Sequence, residues 1–234
     1  MASEKGLTRR QFLTGASTTA LATLVDVGAL RATTRSLDQR PYTPTYFTAA
    51  EWAFVGAAVD RLIPHDGDGP GGVETGVPEF IDRQMELPYG HGAYQYMHGP
   101  FVPDAAASLG YQLKYNPREL YRVGVAAIDK ETQRRWQQPF AQLIGEQQDQ
   151  FLAEMEKNAV SLDGPPSGAV FSQLLANTKE GYFADPLYGG NRDMAAWKYI
   201  GFPGARADFT DWLDQAGRAY PFGPVSINGK IQRS

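Results

Sequence analysis

The apolar residues of this chain recur at helical spacing. Nowhere do they sustain the every-other-residue alternation that a half-buried strand requires. Glycine and proline (25 and 16 residues) cut the helical stretches into short lengths. The expected fold is therefore mainly α: one compact helical domain with long ordered Gly/Pro-rich loops. Thr48-Ala-Ala-Glu51 has the form of a capping box, in which hydroxyl and carboxylate each satisfy an amide at the helix start. Val55, Val59, Leu62 and Ile63 continue that helix until Pro64 stops it. Phe80, Ile81 and Met85, behind Pro78, mark a short second helix. Asn116-Pro117 opens a third, with Leu120, Val123, Ala127 and Ile128 as its inward stripe and Lys130–Arg135 as its solvated end. A fourth spans about Pro139 to Lys157, with Gly145 as a break and Ile144, Phe151, Leu152 and Met155 facing inward. A fifth runs from Ser167 to Thr178. A short helix or turn over Asp208–Gly217 and an extended tail from Tyr220 close the chain. Leu87–Tyr115 has no period and reads as a loop packed by its own side chains.

Composition narrows the function. With no cysteine, disulfides, thiolate metal sites, iron–sulfur clusters and a Cys-x-x-Cys-His haem attachment are excluded. A net charge of -4 lacks the basic face expected of a nucleic-acid-binding protein. No apolar run reaches the roughly 20 residues of a membrane-spanning helix.

The N-terminus carries Arg9-Arg10-Gln11-Phe12-Leu13 ahead of the modest apolar run Ala20–Leu30. Arg9, Arg10, Phe12 and Leu13 form a twin-arginine export signal, whose translocase carries cargo already folded. Asp26 interrupts the apolar run, and Ala29-Leu30-Arg31 is a poor cleavage site. The chain thus divides into a leader (1–31), a surface linker (32–46) and the helical domain (47–234), with the periplasm as the expected location.

Several motifs fail on their chemistry. Gly67-Asp-Gly69-Pro-Gly71-Gly72 spells Gly-x-Gly-x-x-Gly, but a helix precedes it where a dinucleotide site needs a strand. Asp66, Asp68 and Glu74 resemble a calcium loop, yet Pro70 and Val77 occupy its fifth and twelfth positions. His65, His91 and His98 lack the spacing of a zinc site. No Gly-x-Ser-x-Gly elbow is present. The sequence therefore offers no catalytic, cofactor-binding or metal-binding residue. Two other readings stay open: a stand-alone periplasmic enzyme with a metal at His65, Asp66, Asp68 or Glu74, and a small-ligand module in the Tyr89–Tyr96 loop.

The richest stretch is Glu180-Gly-Tyr-Phe-Ala-Asp-Pro-Leu-Tyr-Gly-Gly-Asn-Arg-Asp-Met-Ala-Ala-Trp197. Aromatics and arginine are favoured as interface anchors. Gly189, Gly190 and Asn191 supply backbone conformations closed to most residues. Tyr182, Phe183, Asp185, Tyr188, Asn191, Arg192 and Trp197 are the candidate partner interface. The alternative is a loop folded onto its own core.

Together with Arg61-Leu-Ile-Pro-His-Asp66, Gly69–Val77, Phe80-Ile-Asp82, Gly99-Pro100, Tyr121–Asp129, Gln148-Asp149 and Trp197–Gly204, this stretch resembles the small subunit of gluconate 2-dehydrogenase and fructose dehydrogenase complexes. The resemblance implies a three-part enzyme. A large flavoprotein uses FAD to oxidise a sugar or sugar acid. A multihaem cytochrome c subunit, bearing haem c, passes electrons to quinone and holds the complex at the membrane. The small subunit is a non-catalytic accessory chain that carries the export signal for the flavoprotein and stabilises it. Contact with the membrane would then be only indirect.

Overall fold

A computed structural model describes residues 42–102, 105–218 and 220–229. The leader, with Arg9, Arg10, Phe12 and Leu13, lies outside the described residues. Among those described there are six α-helices and no strand: α1 (Ala49–Leu62), α2 (Val77–Glu86), α3 (Pro117–Trp136), α4 (Gly145–Glu156), α5 (Ser167–Phe183) and α6 (Ala195–Ile200). The mainly-α expectation holds.

Local chemistry sets the helix starts. Thr48 and Glu51 form the full capping box ahead of α1, and Asn116 and Glu119 form a second ahead of α3. Pro78 and Pro117 sit in the first turns of α2 and α3, where a missing amide hydrogen has no cost. Helix α5 packs against α2, α3 and α4, so it forms the centre of the bundle. Phe54, Val55, Ile81, Met85, Leu120, Ile128, Phe151, Met155 and Leu174 fill the space between them. Phe54, Phe140 and Phe151 meet as tilted rings 5.1 and 6.1 Å apart, a geometry that suits their quadrupoles.

The structure corrects the helix reading in four places. The fourth helix does not begin near Pro139. A 3-10 turn at Phe140–Gln142 comes first, then extended backbone at Leu143 and Ile144, and α4 starts at Gly145. Ile144 is consequently 62% exposed rather than inward. In α3, Tyr121 and Val125 face the core with Leu120 and Ile128, whereas Val123 is only half-buried. The Lys130–Arg135 end is not uniformly solvated, because Thr132 is fully buried. Hydrogen bonds from Arg134 and Arg135 hold the Glu131 carboxyl down to about 2. Helix α5 runs to Phe183, past the expected end at Thr178.

The residues ahead of α1 are held by Asp82 of α2, which is fully buried. Its carboxylate accepts hydrogen bonds from the amides of Thr45 (2.7 Å), Tyr46 (3.1 Å) and Phe47 (2.9 Å) and from the Thr45 hydroxyl (3.0 Å). The guanidinium groups of Arg118 and Arg122 lie over the Tyr46 ring, 4.6 and 4.5 Å from its centroid. Arg122 pairs in turn with Glu51 of the α1 capping box.

A buried polar cluster joins α3 to α5. Asn177 is fully buried, and its carbonyl accepts from Tyr121 and Gln173 while its amide donates to Tyr89 and Glu180. All four valences of the amide are met, as burial demands. Burial pushes the Tyr121 hydroxyl well above its ordinary range.

Replacing Asp82 by alanine removes the acceptor for three consecutive amides. The expected loss is about 2–4 kcal/mol of stability, since each bond to a charged acceptor contributes about 1.5–3 kcal/mol and fraying returns part of it to water. Urea denaturation measures the loss, and early proteolysis ahead of Thr48 reports the fraying.

Candidate partner-binding site

The segment from the end of α5 to Phe202 is built on one close approach. Gly190 lies so near α5 that a Cβ placed on it would sit 2.0 Å from the carbonyl oxygen of Gly181. Gly181 is itself pressed against the Phe80 ring of α2, 2.8 Å from where its own Cβ would be. Three layers of chain thus stack with no side chain between two of them.

Past Gly190 the backbone becomes strained. Asn191, Asp193 and Met194 have φ of 44°, 58° and 54°. That region is tolerated by Asn and Asp but disfavoured for Met, at about 1–3 kcal/mol. Asn191 shows what holds it. The fully buried side chain donates to the Ala184 carbonyl (3.0 Å) and accepts from the Ala196 amide (2.9 Å), joining the end of α5 to the start of α6. Arg192 fastens the same turn to α2. Its amide donates to the Thr75 carbonyl (2.8 Å), and its guanidinium pairs with Glu79 at 2.5 Å.

Two further side chains act inward. Trp197 is 6% exposed, and its indole N–H donates to the Phe183 carbonyl (2.9 Å). The Tyr182 hydroxyl donates to the Pro70 carbonyl (2.8 Å), tying the glycine-rich loop to α5. Asp185 gathers the C-terminal tail. It accepts from the Leu187 amide (3.0 Å), the Ser226 hydroxyl (2.7 Å) and the Ile227 amide (2.7 Å). Burial pushes its carboxyl up, but these hydrogen bonds outweigh burial and hold it below the ordinary carboxylate range.

The candidate interface set therefore divides. Tyr182, Asp185, Asn191 and Trp197 are buried and shape the segment from within. Phe183 and Tyr188 are exposed at 45% and 46%, and Arg192 is half-buried. Only the second group offers side-chain surface to another molecule. Leu187, Tyr199, Ile200 and Phe202 are also exposed and extend it. Sequence reasoning missed these four: Leu187 adjoins the exposed Tyr188, and Tyr199, Ile200 and Phe202 lie in the exposed run 198–202, which helical spacing alone does not turn outward. A cleft of about 400 Å³ opens beside the turn, lined by Glu79, Arg83, Leu187, Arg192, Met194 and Asn228.

The acidic loop is occupied with its own turns. Asp66 accepts from the amides of Gly69 and Asp68, which hold its carboxyl below the usual range. His65 faces Glu74 at 3.1 Å on the surface. Among the described residues, no group of three or more His, Cys, Asp or Glu side chains is placed to hold a metal ion. In the Tyr89–Tyr96 loop, the Tyr89 hydroxyl is bonded to Gln173 and Asn177, and His91 faces Arg118 at 2.7 Å. Tyr94 and Tyr96 project outward.

The most constrained segment of the helical bundle thus turns Phe183 and Tyr188 outward over a glycine-stacked base. The gluconate 2-dehydrogenase subunit 3 family matches residues 49–204, well over half of the chain, and the chain belongs to that family. No curated protein sequence and no solved structure matches it.

Trp197→Ala is expected to cost about 3–5 kcal/mol of stability, as for other buried large-to-small truncations. Tyr188→Ala should change stability by about 0.5 kcal/mol or less, as an exposed position does. Chemical denaturation separates the two. Because the Asp185 carboxyl has a lowered folded value, its contribution is complete above about pH 4. It disappears as pH falls through that lowered value. The tail beyond Gly204 should therefore become protease-sensitive in acid ahead of the bundle, and Asp185→Ala should show that sensitivity at neutral pH.

Proposed function

We propose that this chain is the non-catalytic accessory subunit of a periplasmic FAD-dependent dehydrogenase complex of the gluconate type. The observation that carries this reading is the family match over residues 49–204. In this reading the chain binds the folded flavoprotein, leads it through the twin-arginine translocase by Arg9 and Arg10, and stays attached. FAD then belongs to the large subunit. Haem c belongs to a multihaem cytochrome subunit, through which the complex meets the membrane.

Two features support the division of labour. The leader reads as a signal for folded cargo, and such a route needs only one signal per assembled complex. The exposed Phe183 and Tyr188 stand on a base fixed by Asn191, Trp197 and Gly190. An interface so preorganised loses little freedom on binding. Attachment alone stabilises the flavoprotein, because a partner that binds only the native state favours it by about 2.7 kcal/mol at a hundredfold excess over Kd.

Co-expression tests the proposal. With this chain present, the flavoprotein and its sugar-acid oxidising activity should appear in the periplasmic fraction. Without it, or with Arg9→Lys and Arg10→Lys together, both should remain in the cytoplasm. Equal export and activity of the flavoprotein in the absence of this chain would overturn the proposal.

A further inference from the structure

Four consecutive backbone amides ahead of α1 all donate to carboxylates. Those of Thr45, Tyr46 and Phe47 go to Asp82, and that of Thr48 goes to Glu51 at 2.8 Å. Further bonds close the same stretch. The Tyr46 carbonyl accepts from Arg122 (3.1 Å), and the Tyr46 hydroxyl donates to the Arg118 carbonyl (2.6 Å). Phe47 is 4% exposed, and its ring meets Tyr121 edge-on at 5.4 Å. Pro44, just ahead, has no amide hydrogen to offer.

By residue type this stretch invites cutting. Thr48-Ala49-Ala50 is a small-x-small run, the pattern at which leaders are removed, and Phe47 suits an endoprotease that selects large apolar residues. The fold opposes both. A peptidase takes its substrate as an extended strand whose amides and carbonyls pair with the enzyme and whose alternate side chains enter pockets. Over 45–48 the amides are already given to Asp82 and Glu51, and Phe47 belongs to the core. Ala49 and Ala50 form the first turn of α1 behind the Thr48 cap. Freeing the stretch would leave the Asp82 carboxylate buried without its partners, the costly state for a charged group.

We propose that Asp82 sets the N-terminal limit of proteolytic processing in this chain. Whatever removes the leader cuts ahead of Thr45, and residues 45–50 stay on the mature protein as part of its body. The bond between Ala50 and Glu51 is therefore not the maturation site, although the residues before it have the right form. The limit is a property of the folded chain alone and does not depend on the accessory-subunit reading.

The test treats the purified full chain with thermolysin, which cuts ahead of large apolar residues, and reads the products by N-terminal sequencing. The unmodified chain should yield no early fragment beginning at Phe47. Asp82→Ala should speed that cut about tenfold or more, because losing even one bond to a charged acceptor raises the open population by that factor. Asp82→Asn keeps one carbonyl acceptor and should fall between the two, and it carries the test if the alanine variant fails to fold. Trp197→Ala lowers stability at another place and should not single out the bond ahead of Phe47. Release of the Phe47 fragment from the unmodified chain as fast as from Asp82→Ala overturns the proposal. So does equal release by Trp197→Ala. In cells, the chain recovered after co-expression with the flavoprotein should begin at or ahead of Pro44, and a start at Thr45 or any later residue, Glu51 included, overturns it.

Discussion

The backbone contact between Gly190 and Gly181 is the constraint from which the candidate site follows. With no side chain at either position, the segment after α5 folds straight back onto the helix it has just left. That return brings Asn191 under the end of α5, Arg192 onto α2 and Trp197 beneath Phe183. The strained Asp193 and Met194 are tolerable because these three anchors over-determine the turn. A methyl group at 190 would meet main chain rather than a flexible tip. It would displace the whole segment, and with it every exposed ring that stands on it.

Buried polar side chains hold the irregular segments of this chain in place. Asp82, Asp185 and Asn191 are buried, but each faces backbone amides or a hydroxyl of another segment. They are fasteners between pieces of chain that have little regular structure to hold them. Buried carboxylates cost heavily unless fully hydrogen-bonded. Here the bonds come from loops whose amides lack helical or sheet partners. Each group resolves the other's deficit.

Much of the helical scaffold was legible because its signals are local. Thr48, Glu51, Asn116 and the first-turn prolines act within a few residues, and the structure places helices behind all of them. What was not legible depends on residues distant in sequence. Gly181 would ordinarily end a helix, yet α5 continues through it because Phe80 and Gly190 need the space. Tyr121 displaces Val123 from the stripe of α3 because its hydroxyl has a partner in Asn177, which belongs to another helix. Ile144 faces solvent because Leu143 and Ile144 are extended; Gly145 marks a break in the sequence, but not that the helix begins only there. For the candidate interface, residue types identified the segment but not the direction of each side chain. Trp197 and Tyr188 look equivalent as letters, and only the folded chain sets them apart, burying the indole with its bond to Phe183 and leaving Tyr188 exposed.

Asp82 imposes an order on synthesis. Thr45, Tyr46 and Phe47 leave the ribosome well before the carboxylate that collects their amides. Until α2 has emerged, the carboxylate that collects these three amides is missing. The start of the described chain is therefore held by a helix made later than itself.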